Sequence, residues 1–373
     1  MGPLDGVQVV EIASLAPAPF GCMVLADLGA DVLRVDRADT GGPDPGRAQG
    51  PLSRGRRSVQ LNLKDPEGIG LLLALLEDAD VLVEGFRPGV AERLGFGPEE
   101  CARRNPRLIY ARMTGWGQHG PLADTAGHDI DYIAIAGSLE PIGQNGGRPV
   151  PPLNLIGDFA GGGLLMATGI LAALYERERS GLGQVIDAAM VDGAALVSTF
   201  VHGIKAAGAL SFPRGGNLLD GGAPYYDTYV TADDKFVAIG ALEEKFYAEL
   251  VILLELDPAL LPANRHDPAN WPALRSLIAD AVRRRTRDEW AALAMSGDAC
   301  LAPVLAPDEA AQHPHNKARE NFIELAGVVQ PAPAPRFDRT PSAIPSPPAF
   351  SGEHTAEVLG ELGLSEEEIK GLR

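Results

Sequence analysis

Residues 6–36, GVQVVEIASLAPAPFGCMVLADLGADVLRVD, decide the fold class of this chain. The stretch begins and ends with short apolar runs, 6–12 and 31–36, which are typical of buried strands. Residues 17–29 between them have helical character, and Gly29 is a suitable residue to end a helix. A strand, a helix and a second strand in this order predict a parallel βαβ unit.

The same alternation continues beyond this first unit. A proline at position 66 begins a Leu-rich helix at 66–78, and further strands are predicted at 81–84, 108–113 and 184–188. Residues 114–158 are rich in Gly and Pro turn signals, and buried helices are predicted at 159–178 and 190–207. The pattern predicts an α/β fold with an open, Rossmann-like parallel sheet.

A second, smaller unit follows. Runs at 225–230 and 235–239 resemble a hairpin, and helices come after them. We predict a large domain from 1–205 and 325–373, a small α+β domain at 225–320, and linkers at 206–224 and 321–324. The Pro-rich segment 330–349 cannot form a helix and is expected to run extended over a surface.

Composition excludes several classes of partner. The chain has 373 residues and a formal net charge of -18, which disfavours binding to nucleic acid or to an anionic membrane. Residues 1–112 are much less acidic than the rest, so an anionic small ligand is expected there. The three cysteines are too few for a disulfide framework and, with no signal peptide in view, favour a cytoplasmic protein.

Two segments could carry acid–base chemistry. His128 stands in a turn, in Gly127-His128-Asp129, beside carboxylates that could orient it. Asp158 stands in GDFAGGG at the expected start of a helix, where free N–H groups could stabilise an oxyanion. From the residues alone, each also fits a plain structural role. Asp158 could be a helix cap, and His128 could be a core or surface histidine next to a capping Asp129.

Metal and nucleotide motifs are not recognisable. No Walker loop, GxGxxG fingerprint, HExxH or CxxC is present, and His313 and His315 in an HPH loop are more typical of solvated surface. We therefore expect no metal. Eight basic residues precede or follow the early helices and could bind phosphates or simply face solvent: Arg34, Arg37, Arg54, Arg56, Arg57, Lys64, Arg87 and Arg93.

Several longer motifs resemble one family over nearly the whole chain. They include PLDGVQVVEIASLAPAPFGCMVLADLGADVLRVDR, RSVQLNLKD, VLVEGFRPGVAERLGFGPE, LIYARMTGWGQHGP, GHDIDYIAIAG, RPVPPLNLIGDFAGGG, GQVIDAAMVDG, GNLLDGGAPYYDTY and FVAIGALEEKFYAEL. The chain resembles the family III coenzyme A transferases (the CaiB/BaiF superfamily) and, within them, the α-methylacyl-CoA racemases.

The resemblance implies a reaction and a set of residues. Transferases of this family use an aspartate that takes up the acyl group, which by motif match is Asp158. They commonly carry Tyr where this chain has His128, and the racemases carry His in the same GHD motif. The resemblance therefore implies racemisation of 2-methylacyl-CoA thioesters through an enolate, with His128 and Asp158 on opposite faces of the α-carbon.

Further roles rest on motif position alone. Glu243 would pair with His128, and Asp129, Asn154 and Tyr226 would support the pocket. Candidates for the coenzyme A phosphates and adenine are Arg37, Lys64, Arg87 and Arg93. The resemblance also implies an interlocked homodimer with an acyl-CoA substrate and no cofactor. Transfer of coenzyme A between carboxylic acids and non-catalytic acyl-CoA binding remain alternatives, and the acyl group stays open.

Overall fold

The computed structural model describes residues 2–38, 50–210 and 212–371. In chain order, its strands are β1 (Gln8–Ile12), β2 (Asp31–Arg37), β3 (Arg56–Leu61), β4 (Val81–Glu84), β5 (Ile109–Thr114), β6 (Val185–Ala189), β7 (Tyr226–Val230), β8 (Phe236–Gly240), β9 (Leu301–Pro303), β10 (Phe322–Leu325) and β11 (Val328–Pro331).

Its α-helices are α1 (Pro17–Asp27), α2 (Pro66–Asp78), α3 (Val90–Leu94), α4 (Pro98–Arg104), α5 (Asp129–Ile135), α6 (Leu165–Ser180), α7 (Met190–Val197), α8 (Thr199–Ala206), α9 (Glu244–Leu253), α10 (Trp271–Val282), α11 (Arg287–Ala294), α12 (Pro307–Ala310), α13 (Pro314–Ala318), α14 (Thr355–Glu361) and α15 (Glu366–Gly371). A π-helix, Leu155–Leu164, leads directly into α6.

A six-stranded parallel sheet forms the centre of the first unit. Its strand order is β3-β2-β1-β4-β5-β6, so the order reverses at β1. The βαβ unit predicted from residues 6–36 is confirmed as β1, α1 and β2, with Val9 opposite Val32. In sheets of this kind, ligands bind in the crevice outside the carboxyl ends of the strands where the order reverses.

Apolar cores cover both faces of this sheet. One core contains residues of α1 and α6, such as Leu25 and Ile170. The other contains residues of α2 and of the C-terminal α14, such as Leu72 and Val358. Because helices cover both faces, strands β2 and β4 are buried almost continuously, as expected of a parallel sheet.

The chain divides into two compact units. The first contains Met1–Ala136, Pro152–Ser198 and Glu320–Arg373, and the second contains Gly137–Pro151 and Thr199–Arg319. This division differs from the domain limits that we predicted from the sequence. Residues 137–151 and the linker 206–224 both fall within the second unit, apart from Ser211, which lies outside the described residues.

The second unit is built on an antiparallel sheet, β7-β8-β9, against which α10 and α11 supply core residues. The predicted hairpin is present as β7 and β8, and β9 joins it from far along the chain. Residues 137–151 are held to this unit by Arg214, which donates to the carbonyl of Gly147 at 2.6 Å and to the Glu140 carboxylate at 2.9 Å.

The helix predicted at 159–178 begins earlier than expected. Asn154 precedes the first turn of the π-helix, so Asp158 lies inside the helix and does not cap it. The combined helix Leu155–Ser180 is long and apolar enough to cross a membrane by length and composition. Met166 and Ile170 in it are fully buried in the core beside the sheet, whereas Leu155 and Leu164 are exposed.

The glycines of this helix permit close packing between backbones. A Cβ on Gly161 would lie 2.6 Å from the Ala194 nitrogen of α7, and one on Gly163 would lie 2.2 Å from the Pro17 carbonyl of α1. Gly161 and Gly163 therefore let the neighbouring helices approach the backbone of this helix.

Other local differences have simple causes. The predicted helix 190–207 is divided into α7 and α8 at Ser198. Strand β3 is rich in Arg and Gln, which hid it from the apolar pattern, and α5 lies inside the turn-rich region 114–158. Residues 332–349 are all described, and none of them is helical or in a strand. The carbonyl of Ser346 accepts a hydrogen bond from the N–H of Gly55, and the carbonyl of Ala349 accepts one from the Arg34 side chain.

Candidate active site

His128 is the residue that precedes α5. Its backbone is extended, and its N–H donates a hydrogen bond to Asp131 Oδ2 at 3.0 Å. Its carbonyl accepts the N–H of Asp131 at 2.9 Å. A carboxylate three residues into the helix thus fixes the loop on which the imidazole stands.

Tyr132 holds the same loop from the side. Its hydroxyl donates to the Gly127 carbonyl, immediately before His128. Its ring packs edge-on against Trp116 with 4.8 Å between ring centroids. A Cβ on Gly115 would lie 2.2 Å from the Tyr132 ring, so the aromatic ring needs glycine there. Tyr132 and Asp131 were not among the site residues predicted from the sequence. An acidic residue three positions after a helix cap is the signal that could have found Asp131.

Asp158 lies in the first turn of the π-helix, next to Asp129. Asn154 donates from its side-chain amide to Asp158 Oδ2 at 3.0 Å, and the N–H of Asp158 donates to Asp129 Oδ1 at 2.7 Å. Asp129 is buried, and its Oδ2 has no hydrogen-bond partner within the described part of the chain. The structure therefore brings together Asp158, Asn154 and Asp129, three of the predicted residues.

The electrostatics of this cluster keep the Asp158 carboxyl less acidic than usual. Burial of the side chain raises the pKa of Asp158, and the negative charge of Asp129 raises it further. The Asn154 hydrogen bond and the charge of His128 act in the opposite direction. The influence of His128 places the two predicted proton-transfer groups within electrostatic reach of each other. Acid–base residues of active sites typically have shifted pKa values of this kind.

One expected feature of the helix N-terminus is not available as we predicted it. The N–H of Asp158 is already bonded to Asp129, so this N–H cannot also serve an oxyanion. Any oxyanion donor from this helix must be another N–H of its first turn.

The basic residues of the first unit fall into two groups. Arg34, Arg54 and Arg56 are buried in ion pairs with Asp36, Asp27 and Glu11, so these three arginines stabilise the fold. Arg57 is bonded to Asp31, Glu357 and Glu361 at the protein surface.

The four arginines and lysines that we predicted for coenzyme A are instead exposed: Arg37, Lys64, Arg87 and Arg93. Arg37 ends β2, Lys64 follows β3 and Arg87 follows β4, so these three lie beyond the carboxyl ends of parallel strands. This is the edge of the sheet where ligands of doubly wound folds bind. Arg93 lies on the short helix α3.

Glu243 and Tyr226 belong to the second unit. Glu243 precedes α9, and its carbonyl accepts the N–H of Tyr247 at 2.9 Å. Tyr226 is the first residue of β7 and pairs with Gly240 of β8. The electrostatic influence of Glu243 reaches Cys300, whose carbonyl accepts the N–H of Gly240 at 2.9 Å.

The HPH sequence has a local structural role. His313 precedes α13, and its Nδ1 accepts the N–H of His315 at 3.3 Å. Within the described ranges, no group of three or more His, Cys, Asp and Glu side chains is arranged to hold a metal ion.

The fold and these motifs define a class of protein. The CoA-transferase family III model matches residues 4–355, and the chain therefore belongs to CoA-transferase family III. Among its relatives, the mouse protein named alpha-methylacyl-CoA racemase is 48% identical over 98% of this chain and 95% of its own length. The human protein of the same name is 48% identical over the same shares of both chains.

More distant members of the family carry other names. An acetyl-CoA:oxalate CoA-transferase of Acetobacter aceti is 34% identical over 88% of each chain. The fold matches the crystal structure of a CAIB/BAIF family protein from Brucella suis with a TM-score of 0.83 and 29% identity, covering 97% of this chain and 99% of that one. The Mycobacterium tuberculosis protein Rv3272 matches with a TM-score of 0.79 and 27% identity, covering 96% and 99%.

Proposed function

We propose that this enzyme racemises 2-methylacyl-CoA thioesters at the α-carbon. The observation that carries the proposal is the half-buried Asp158, which is hydrogen-bonded to Asn154 and Asp129, has its pKa raised by burial, and lies within the electrostatic influence of His128. Two relatives named alpha-methylacyl-CoA racemase, each 48% identical to this chain, support it. A branched or otherwise α-methylated acyl chain is the expected substrate, which fits a role in fatty acid metabolism.

The proposed reaction is a proton transfer in two halves. A base on one face of the α-carbon removes the α-proton, and the bonding electrons move onto the thioester oxygen to form an enolate. An acid on the other face then returns a proton to the same carbon, which inverts its configuration. His128 and Asp158 serve as this pair and exchange roles between the two enantiomers.

The raised pKa of Asp158 suits this exchange of roles. A carboxyl with a raised pKa holds its proton more readily, which helps it act as the acid in one direction of the reaction and as the base in the other. Asp129 supports this balance, since its charge disfavours the ionised form of Asp158. The amide of Asn154 supports the ionised form through its hydrogen bond to Oδ2.

The negative charge on the enolate oxygen needs stabilisation. We assign this role to N–H groups in the first turn of the π-helix other than that of Asp158, together with the positive end of the helix. The chemistry then needs no cofactor, because coenzyme A is part of the substrate. Arg37, Lys64, Arg87 and Arg93 would bind its phosphates and adenine at the carboxyl edge of the sheet.

Glu243 is the proposed third member of the catalytic group, hydrogen-bonded to His128 and setting its protonation, and Tyr226 is proposed to line the pocket. For the residues of the second unit, the support is the match of their motifs to the family.

Solvent deuterium tests the proposal. Each enantiomer of a 2-methylacyl-CoA is incubated with the enzyme in D₂O, and mass spectrometry follows deuterium at the α-carbon. We expect exchange with both enantiomers and inversion of configuration. His128→Gln and Asp158→Asn should each lose nearly all exchange, whereas His315→Gln, which changes an exposed histidine, should not.

Coenzyme A transfer gives a different result in the same variants. A covalent acyl intermediate at Asp158 would be trapped by hydroxylamine, and His128→Gln would matter far less than Asp158→Asn. Trapping at Asp158 without α-deuterium exchange would replace racemisation with transfer. Tight acyl-CoA binding with neither reaction would indicate a non-catalytic protein.

We also propose that the chain forms a homodimer. The family resemblance implies that the two subunits of this dimer are interlocked. Large apolar side chains are exposed on the first unit, including Ile135 at 66%, Leu153 at 77% and Tyr175 at 71%. Exposed apolar surface of this kind is typical of an interface between subunits. Light scattering after size exclusion should give twice the mass of 39.2 kDa, and a monomer would refute the dimer. A cytoplasmic location stays a prediction from the cysteine content.

A further inference from the structure

Arg265 makes an unusual set of contacts for an arginine outside a helix or strand. Its side chain is 5% exposed. Its guanidinium donates to the carbonyl of Leu242 at 2.7 Å and to that of Ala241 at 3.3 Å. It also donates to Glu244 Oε1 at 3.0 and 3.1 Å.

These three acceptors flank Glu243 on both sides. Two carbonyls lie immediately before Glu243 in the chain, and the carboxylate belongs to the residue that follows it. A planar guanidinium can bond several acceptors in a fixed geometry, which an ammonium group cannot reproduce. Arg265 thus fixes the backbone from Ala241 to Glu244, and with it the starting point of the Glu243 side chain.

The guanidinium is itself held in place by two rings. It lies 4.4 Å from the ring centroid of Tyr225 and 4.4 Å from that of Tyr247. The carbonyl of Tyr225 accepts the N–H of Ala241 at 2.9 Å, and Tyr225 directly precedes Tyr226. One arginine therefore holds both segments that carry the proposed pocket residues of the second unit.

His266 closes the outer side of this cluster. Its Nδ1 is 3.1 Å from the Tyr225 hydroxyl, and its Nε2 is 3.2 Å from Glu244 Oε1. The Arg265 hydrogen bonds and then His266 lower the pKa of Glu244. Glu244 therefore stays ionised and available to Arg265 as an acceptor throughout the neutral range.

We propose that Arg265 is a positioning residue for the racemisation, acting through Glu243. The inference rests on the proposed function, because it assigns Arg265 a part in the same reaction. Arg265 contacts neither the substrate nor the reacting atoms in this assignment. It fixes the backbone from which the Glu243 side chain extends.

The expected kinetic effect falls on kcat. A displacement of about 1 Å in a group that orients the chemistry can cost on the order of 100-fold in rate. We expect Arg265→Gln to lower kcat by about 10- to 100-fold with little change in KM, since coenzyme A is bound by other residues. Arg265→Lys keeps the positive charge but loses the planar guanidinium with its several donors. It should therefore keep only part of the wild-type rate.

A double-mutant comparison separates positioning from general loss of stability. Wild type, Arg265→Gln, Glu243→Gln and the double variant are compared by α-deuterium exchange, with kcat and KM measured for each. If Arg265 acts through Glu243, then Arg265→Gln should cost little further rate in the Glu243→Gln background.

Arg287→Gln is the matched control. Arg287 is also 5% exposed and lies in the second unit, where it bonds Glu309 at 2.6 and 2.9 Å and the carbonyl of Val304 at 3.2 Å. It should lower the melting temperature comparably and leave kcat at the wild-type value. If Arg265→Gln does not fold, Glu244→Ala removes one acceptor at the surface, and a loss in kcat without a change in KM is expected from it.

The outcomes separate the two proposals. A wild-type enzyme without any exchange would overturn the racemase proposal itself. If the wild type is active, three results would overturn the positioning role of Arg265. The first is an unchanged kcat in Arg265→Gln, and the second is a loss of rate in Arg265→Gln that adds fully to the loss in Glu243→Gln. The third is an equal loss of kcat in Arg287→Gln.

Discussion

Replacing Asn154 with alanine tests how the acidity of Asp158 is set. Asn154 is the only side chain named above that stabilises the ionised carboxylate by a hydrogen bond, at 3.0 Å. Its removal takes away a donor to the charged form and leaves the burial and the charge of Asp129, both of which favour the neutral form. The pKa of Asp158 should therefore rise further.

The magnitude follows from the type of bond that is lost. A hydrogen bond to a charged group contributes about 1.5–3 kcal/mol, and the low end applies because Asp158 is only half-buried. About 1.4 kcal/mol corresponds to a factor of ten in an equilibrium constant. The ionised fraction of Asp158, and with it kcat/KM for both enantiomers, should fall roughly tenfold on the acidic side of the profile.

The assay is the pH profile of kcat/KM for each enantiomer. The acidic limb should move to higher pH in Asn154→Ala, while the alkaline plateau changes less. The shift should be equal for both enantiomers, because the equilibrium constant of a racemisation fixes the ratio of their kcat/KM values. Asn105→Ala is a control. It removes two amide hydrogen bonds, at 2.8 and 3.0 Å, near the amino end of β5, and should lower stability without moving the limb. An unmoved limb in Asn154→Ala, or a limb that moves to lower pH, would refute this account of Asp158.

Two further predictions concern packing and thiol chemistry. Gly193→Ala would place a Cβ 1.8 Å from the Gly161 carbonyl, and overpacking of this kind should cost about 1–3 kcal/mol or more, seen in urea unfolding. Gly70→Ala in α2, where nothing lies within 4 Å of the new Cβ, should not destabilise the fold. A disulfide reagent at neutral pH should modify the exposed Cys300 in the native protein. The other two thiols are buried, and burial raises the pKa of Cys101 to about 12, so they should react only after denaturation. A second thiol that reacts quickly in the folded protein would contradict this burial.

The sequence was informative where the local pattern of apolar residues is enough to predict an element. The apolar runs of β1 and β2 and the Leu-rich face of α2 are patterns of this kind, and all three elements were predicted. Strand β3 was not found, because Arg56 and Ser58 in it are buried through hydrogen bonds and ion pairs to distant residues. Only the folded chain brings Glu11 and Asp36 to those positions.

The candidate site shows the same division. The motifs pointed to Asp158, Asn154 and Asp129, and these side chains do meet. The way they meet depends on where the π-helix begins, which is immediately after Asn154. A sequence pattern with the period of an α-helix does not predict the start of a π-helix. Likewise, the sequence could not divide the eight basic residues into those buried in ion pairs and those exposed to solvent. The acidic partners of the buried Arg34, Arg54 and Arg56 are fixed only by the folded chain.

The glycine run after Asp158 links the packing of the helix to the acidity of the site. Gly161 and Gly163 let the π-helix approach α7 and α1 closely, while a Cβ on Gly157 would lie 2.5 Å from Asp129 Oδ1. Only a glycine at position 157 therefore lets the Asp129 carboxylate reach the Asp158 N–H. That contact brings a second negative charge close to a half-buried carboxyl and raises its pKa. The glycines of this motif therefore serve close packing, and the contact that Gly157 permits contributes, after burial, to the raised pKa of Asp158.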